Sequence, residues 1–337
     1  QVVATMADAA QAGKAADAVT GDHGDLHAFP WRICLAGGWL DQPWVSKLVP
    51  GPVVVMNVHP HEAFKTRSGL ATSTRALGIE LWGTRHGGRP PASVPPARLA
   101  RLLFNVENPV DCAYVSGSQD ALGLMLPGVS RLDYDGTYWP RHVAQLGDEA
   151  SVRWLEQTLW LVPLPSRSPG YDPLVTKRVT PAGVRLLARA GEDAWAAIEA
   201  RDAAALGDAL SRTMEAWRAI LPETVPEGSE ELLRPYAGHH GCLFSGAGGG
   251  FLLVVARAGE PVPRGFQVRI TRSAKEQWRA RPRIDPVLAS PPSPGSGQIR
   301  RQLSDGLGQL LMLVCVALLV AIGRRVGSLA PAPAGEL

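Results

Sequence analysis

Gly241-Cys242-Leu243-Phe244-Ser245-Gly246-Ala247-Gly248-Gly249-Gly250-Phe251-Leu252-Leu253-Val254-Val255 is a loop of small residues feeding an apolar run of β type. A segment with so little side chain lets its backbone come very close to another group, most often a phosphate or a compact polar substrate. It is not a Walker loop, because no Gly-Lys-Ser/Thr follows. It is not a dinucleotide fingerprint either, because Phe251 stands where the last glycine belongs. Taken alone, a tight hairpin inside an ordinary sheet explains it equally well.

A second glycine segment lies far upstream, Arg32-Ile33-Cys34-Leu35-Ala36-Gly37-Gly38-Trp39-Leu40-Asp41-Gln42-Pro43. Together the two segments resemble those of the GHMP kinases, the family of galactokinase, mevalonate kinase and homoserine kinase. The Gly-Gly-Trp-x-Asp version is most similar to the sugar kinases acting on fucose and heptose phosphates. The resemblance covers about residues 27 to 271. It implies a two-lobed α+β fold, with an N-terminal lobe like ribosomal protein S5 domain 2 and a ferredoxin-like C-terminal lobe. It also implies substrate contacts at Arg32, Gly38, Asp41, Gly248 and Gly249.

Between these segments the family places a nucleotide-phosphate loop, and Ser68-Gly69-Leu70-Ala71-Thr72-Ser73-Thr74-Arg75 resembles it. Ala71 replaces the middle glycine and Thr72 the first serine. Gly69 permits a sharp turn, and Thr72, Ser73 and Thr74 offer hydroxyls and N–H groups where a helix begins, a place that attracts anions. Leu77, Gly78, Leu81 and Trp82 then recur at helical spacing. An ordinary Ser/Thr cap on an amphipathic helix is the competing explanation, and the order of the motifs favours the loop. By resemblance, Gly69, Leu70, Ala71, Thr72, Ser73 and Thr74, with Ser245, Gly246, Ala247 and Gly250, hold ATP.

Gly117-Ser118-Gln119-Asp120 resembles the segment in which those sugar kinases keep a catalytic aspartate, with Ala121 in place of the final Gln. Asp120 is expected to accept the proton of the attacking hydroxyl or to orient it. Glu107, after a helical stretch from Ala97 to Val106, stands where the family carries a magnesium-binding glutamate. Mg2+ favours one or two carboxylates plus hydroxyls and phosphate oxygens, which Glu107 with Ser73 or Thr72 supplies. A lone acidic loop residue is usually only solvated, so the ordered set of four motifs carries the reading.

The chain has 337 residues, 45% hydrophobic and 19% charged, enough for a sizeable core and two lobes or two modest domains. A net charge of +3 is too small and dispersed to argue for nucleic acid. Cys34, Cys112, Cys242 and Cys315 form no Cys-x-x-Cys pair, so a reducing, cytoplasmic setting is expected. His59-Pro60-His61-Glu62 has spacing that suits no helix-borne metal site.

Apolar strands are expected at 26–41, 51–58 and 266–270, with helical pattern from Pro181 to Leu221 in which Leu206, Leu210, Met214 and Trp217 share one buried face. Only the Val53 to Val58 strand stands between Asp41 and Gly69, where the family has a longer series. The expected organisation is a polar extension at 1–26, lobes at 27–150 and 151–275, a Pro/Ser/Gly-rich linker at 276–305, an apolar segment at 306–323 and a tail at 324–337. Residues 306–323 carry no charge and at helical rise reach ~27 Å, about a thin bilayer core. A membrane anchor and a buried or partner-docking helix both remain open for that segment.

The expected activity is transfer of the ATP γ-phosphoryl group to a hydroxyl of a sugar or sugar phosphate, with Mg2+ bound. The rival is a GHMP-fold sugar or nucleotide sensor without turnover, favoured by Ala71, Ala121 and the shortened region after Asp41.

Overall fold

Trp31–Ala36 (β1) and Gly51–Val58 (β2) are nearly continuous apolar runs, the pattern of strands covered on both faces, and all but Gly51 are buried. The structure, a computed structural model, describes residues 29–83, 90–165 and 171–274. Strands β1 and β2 pair antiparallel, with a register shift between Cys34 and Ala36. Val129–Tyr134 (β3) and His142–Leu146 (β4) complete a four-stranded antiparallel sheet in the order β1-β2-β3-β4. A short helix, Pro43–Ser46 (α1), links β1 to β2.

Three helices follow β2: Thr72–Gly83 (α2), Pro96–Glu107 (α3) and Gln119–Met125 (α4). Glu107 is the last residue of α3, one beyond the stretch expected to be helical. Leu99, Ala100, Leu103 and Phe104 form its buried stripe. Glu149–Thr158 (α5), capped by Asp148, runs directly into Leu159–Pro163 (β5).

The long helical pattern after Pro181 divides into Pro181–Ala200 (α6) and Ala203–Ile220 (α7). Arg201 turns left-handed (φ 55°), and the Asp202 side chain accepts from the Ala205 N–H. Helix α6 lies against β1 and β2, while α7 lies against Gly241–Phe244 (β6) and Phe251–Val255 (β7). After a short helix, Ser229–Leu233 (α8), strands β6 and β7 form a hairpin around the glycine loop. With β5 and Phe266–Gln267 (β8) they make a second antiparallel sheet ordered β6-β7-β5-β8. The α+β class is as expected. Strands β3 and β4 were not legible in the sequence: β4 is an edge strand exposed along most of its length, with no apolar face to mark it.

One expectation is corrected. The expected anchoring of a cytoplasmic protein in a membrane does not stand, because among the described residues no helix is long and apolar enough to cross a membrane. Residues 306–323 lie outside the described residues.

Candidate active site

The first turn of α2 opens onto a cavity of about 550 Å3. Thr72 and Ser73 are exposed at that end, and the Ala71 carbonyl accepts the first helical bond from the Arg75 N–H (2.8 Å). The N–H groups of Thr72, Ser73 and Thr74, which precede Arg75, therefore have no intrahelical acceptor and form the positive end of the helix dipole. Ala71 sits at φ +59°, a left-handed conformation that glycine adopts without strain. The alanine thus keeps the backbone path of the glycine it replaces in the motif.

The loop before α2 and the glycine loop between β6 and β7 pack backbone to backbone. A Cβ on Gly69 (φ +93°) would fall 2.3 Å from the Ser245 carbonyl oxygen, and one on Gly250 (φ +142°) would fall 2.0 Å from that of Ser68. The Ser68 hydroxyl donates to the Gly249 carbonyl (3.4 Å). The glycines were expected for close approach to phosphate. Here Gly69 and Gly250 are required first for close approach of one loop to the other.

Also lining the cavity, Arg32 on β1 is 5% exposed and its guanidinium forms an ion pair with the Asp120 carboxylate. Burial pulls Arg32 below its ordinary pKa, while neighbouring Cys34, Asp41 and Glu107 act to hold the charge. The carboxamide of Asn57 on β2 donates to the carbonyls of Gly123 (2.8 Å) and Leu124 (2.9 Å), fixing the helix that carries Asp120. Arg32 was assigned to substrate by resemblance; the structure places its charge on Asp120.

Asp41 is 3% exposed, and its Oδ1 accepts from Gln119 Nε2–H (2.9 Å). Burial raises its carboxyl from an ordinary value of 3.8 to about 6, against the pull of Arg32 and of bonds from Gln119. A carboxyl whose folded-state pKa is raised contributes stability at low pH that is lost as pH climbs from about 4 through 6. Asp41→Asn is therefore expected to be more stable than the wild type at pH 8 by ~2–3 kcal/mol, with the gap closing toward pH 4. Melting temperatures of both proteins at pH 8 and pH 5 test this, and an Asn variant less stable at pH 8 would contradict it.

At the end of α3, Glu107 Oε1 accepts from the Thr74 hydroxyl (2.7 Å), while Oε2 is buried with no partner among the described residues. Burial raises this carboxyl as well. An orphaned carboxylate oxygen lining the same cavity as the exposed Ser73 suits a hard cation such as Mg2+.

The cavity gathers Arg32, Gly38, Asp41, Gly69, Ala71, Thr72, Ser73, Glu107, Asp120, Gly246 and Ala247 from the residues singled out in the sequence. Leu70, Thr74 and Ser245 are fully buried beside it and act as supports, Ser245 by bonding Phe251 through both its backbone and its hydroxyl. Gly248, Gly249 and Gly250 do not line it. The Gly248 N–H donates to the Thr224 carbonyl (2.8 Å). Sequence reasoning missed Trp39, Tyr114 and Gln119 as walls. It read Trp217 as core only; Trp217 is buried, but its indole N–H donates to the Gly38 carbonyl (3.1 Å) and its ring lines the cavity.

A crystal structure of mevalonate kinase matches the chain with a TM-score of 0.51 at 11% identity, covering 73% of this chain and 98% of that one. This chain has the GHMP kinase fold. A D-glycero-D-manno-heptose 1-phosphate kinase from Bacteriodes thetaiotaomicron also aligns, at 15% identity over 72% of this chain and 94% of that one, with a TM-score of 0.47. A Lactococcus lactis galactokinase complexed with galactose aligns at 13% identity over 67% and 84%, with a TM-score of 0.43. No family model and no curated protein matches the sequence. Within the GHMP fold, the four sequence motifs come together around one cavity.

Proposed function

We propose that this protein is an ATP-dependent small-molecule kinase that phosphorylates an alcohol, of the sugar kinase type, with residues 27–150 and 151–275 as its lobes. The observation that carries the reading is the presence, in one cavity, of an open helix N-terminus, a carboxylate with an orphaned oxygen and an Arg-paired aspartate. Bound Mg·ATP supplies the γ-phosphoryl group and countercharge for its transfer. Thr72 and Ser73, with the N–H groups of the first turn of α2 and the Gly246-Ala247 backbone, hold the phosphates. Glu107, aligned by Thr74, would hold Mg2+ through its second carboxylate oxygen.

Arg32 orients Asp120 so that its carboxylate faces the acceptor hydroxyl. That hydroxyl oxygen bonds to the γ-phosphorus, the bond to the β,γ-bridging oxygen breaks, ADP leaves with the electron pair, and the hydroxyl proton passes to Asp120. The left-handed Ala71 and the fully buried Ala121, which does not face the cavity, weigh against the non-catalytic rival.

Replacing Glu107 with Gln leaves the side-chain shape and weakens it as a ligand for a hard cation. The Mg2+ concentration required for nucleotide binding is expected to rise by about 10-fold or more. Calorimetric titration of ATP across a magnesium series tests the assignment; superimposable curves for Glu107→Gln and wild type would remove Glu107 from the metal site.

A further inference from the structure

Whether the acceptor carries its own charge depends on what the cavity offers to an anion. Among the described residues that line it, Arg32 is the one basic side chain, and its guanidinium is already paired with Asp120. A ligand phosphate or carboxylate could claim Arg32 only by displacing Asp120, leaving a carboxylate uncompensated. The Gly248-Gly249 part of the glycine loop, beyond the Gly246-Ala247 backbone given to the nucleotide, is closed from within. The Gly248 N–H is taken by the Thr224 carbonyl, the Gly248 Cα packs beside the Tyr171 ring, and neither Gly248 nor Gly249 reaches the cavity.

The part of the wall formed by Asp41 and Gln119 presents hydrogen-bond acceptors. The ionised Asp41 carboxylate can only accept, so the Gln119 group that meets it is the amide nitrogen, which leaves Gln119 Oε1 as a buried acceptor without a partner among the described residues. Trp39, Tyr114 and Trp217 supply apolar ring surface around these acceptors. Hydroxyl donors on an apolar ring scaffold complement such a wall, whereas an anion placed there meets fixed negative charge.

We infer that the alcohol phosphorylated at this site is an uncharged polyol of the free-sugar class, and that Asp41 is the residue that rejects sugar phosphates and hydroxy acids. The inference rests on the kinase reading above. It narrows that reading to one of the two acceptor types the motifs left open.

The test uses matched probes: a set of free hexoses and 6-deoxyhexoses, their 1- and 6-phosphates, and small hydroxy acids. Each is added to the full chain with Mg·ATP, reading acceptor-dependent ADP release, and with a non-hydrolysable ATP analogue, reading the melting temperature. At least one free sugar is expected to be turned over and to raise the melting temperature, while its phosphates do neither at the same concentration. Asp41→Asn is expected to keep the shift produced by the ATP analogue, which shows a folded nucleotide site. It should lose about 10-fold or more in affinity for the free sugar and reduce the discrimination against the phosphate.

A sugar phosphate or hydroxy acid preferred by the wild type overturns the inference. So does a neutral set that fails entirely while Mg·ATP still binds, an outcome that leaves the nucleotide reading standing. Failure of Mg·ATP itself to bind overturns both.

Discussion

Asp120→Asn is expected to bind Mg·ATP as the wild type does and to lose turnover by a factor of about 10² or more. The amide cannot accept a proton from the attacking hydroxyl, and it cannot form the ion pair by which Arg32 holds the side chain in place. Arg32 is 5% exposed and its Nε has no hydrogen-bond partner among the described residues, so losing the carboxylate also leaves a buried cation less well compensated. Turnover must therefore be compared per folded molecule, with melting temperature and ATP affinity measured on the same preparations. Unchanged turnover in a folded Asn variant removes Asp120 from the chemistry.

Gly250→Ala is expected to cost ~2–4 kcal/mol of stability and to weaken nucleotide binding together with it. The added methyl lands 2.0 Å from the Ser68 carbonyl oxygen, a backbone atom that cannot rotate away, and φ +142° is strained for any L side chain. Relief requires the two loops to part. Parting them disturbs Gly246 and Ala247 in the cavity wall and the turn through Gly69 that leads into α2. Urea unfolding and ATP titration on the variant check both effects. A variant with wild-type stability would show that the loops do not make the close contact described here.

Much of this site was legible because its parts depend on short local patterns. The Gly-Gly-Trp-x-Asp, Gly-Leu-Ala-Thr-Ser-Thr and Gly-Ser-Gln-Asp segments announce turns and helix starts by residue type alone, and each one contributes a lining residue to the cavity. Helix α3 was expected at 97–106 from the place the resemblance gives Glu107, and the structure ends that helix on Glu107. What the sequence could not convey is which groups satisfy one another across the fold.

Nothing local to Arg32 states that its partner is Asp120, 88 positions on (120 − 32), since β1 and α4 meet only through tertiary packing. The closing of Gly248 onto Thr224 is hidden for the same reason, because it needs α7 and the turn after it to lie beneath the loop. Trp217 looked like core because its spacing on α7 is a core spacing. It is buried as that spacing demands, and it meets the cavity because Gly38 leaves room for its ring 3.2 Å from where a Cβ would stand.

The central claim is that this GHMP-fold chain transfers a phosphoryl group to an alcohol, and the most direct measurement is product analysis. The full chain is incubated with Mg·ATP and a mixture of free sugars, with Asp120→Asn run in parallel. Phosphate-containing products are then identified by mass spectrometry. The account predicts a sugar phosphate ester formed in step with ADP by the wild type, and lost or reduced by about 10² in the variant. A wild-type protein that binds Mg·ATP and these sugars yet forms no ester would contradict it and leave a binding protein in its place.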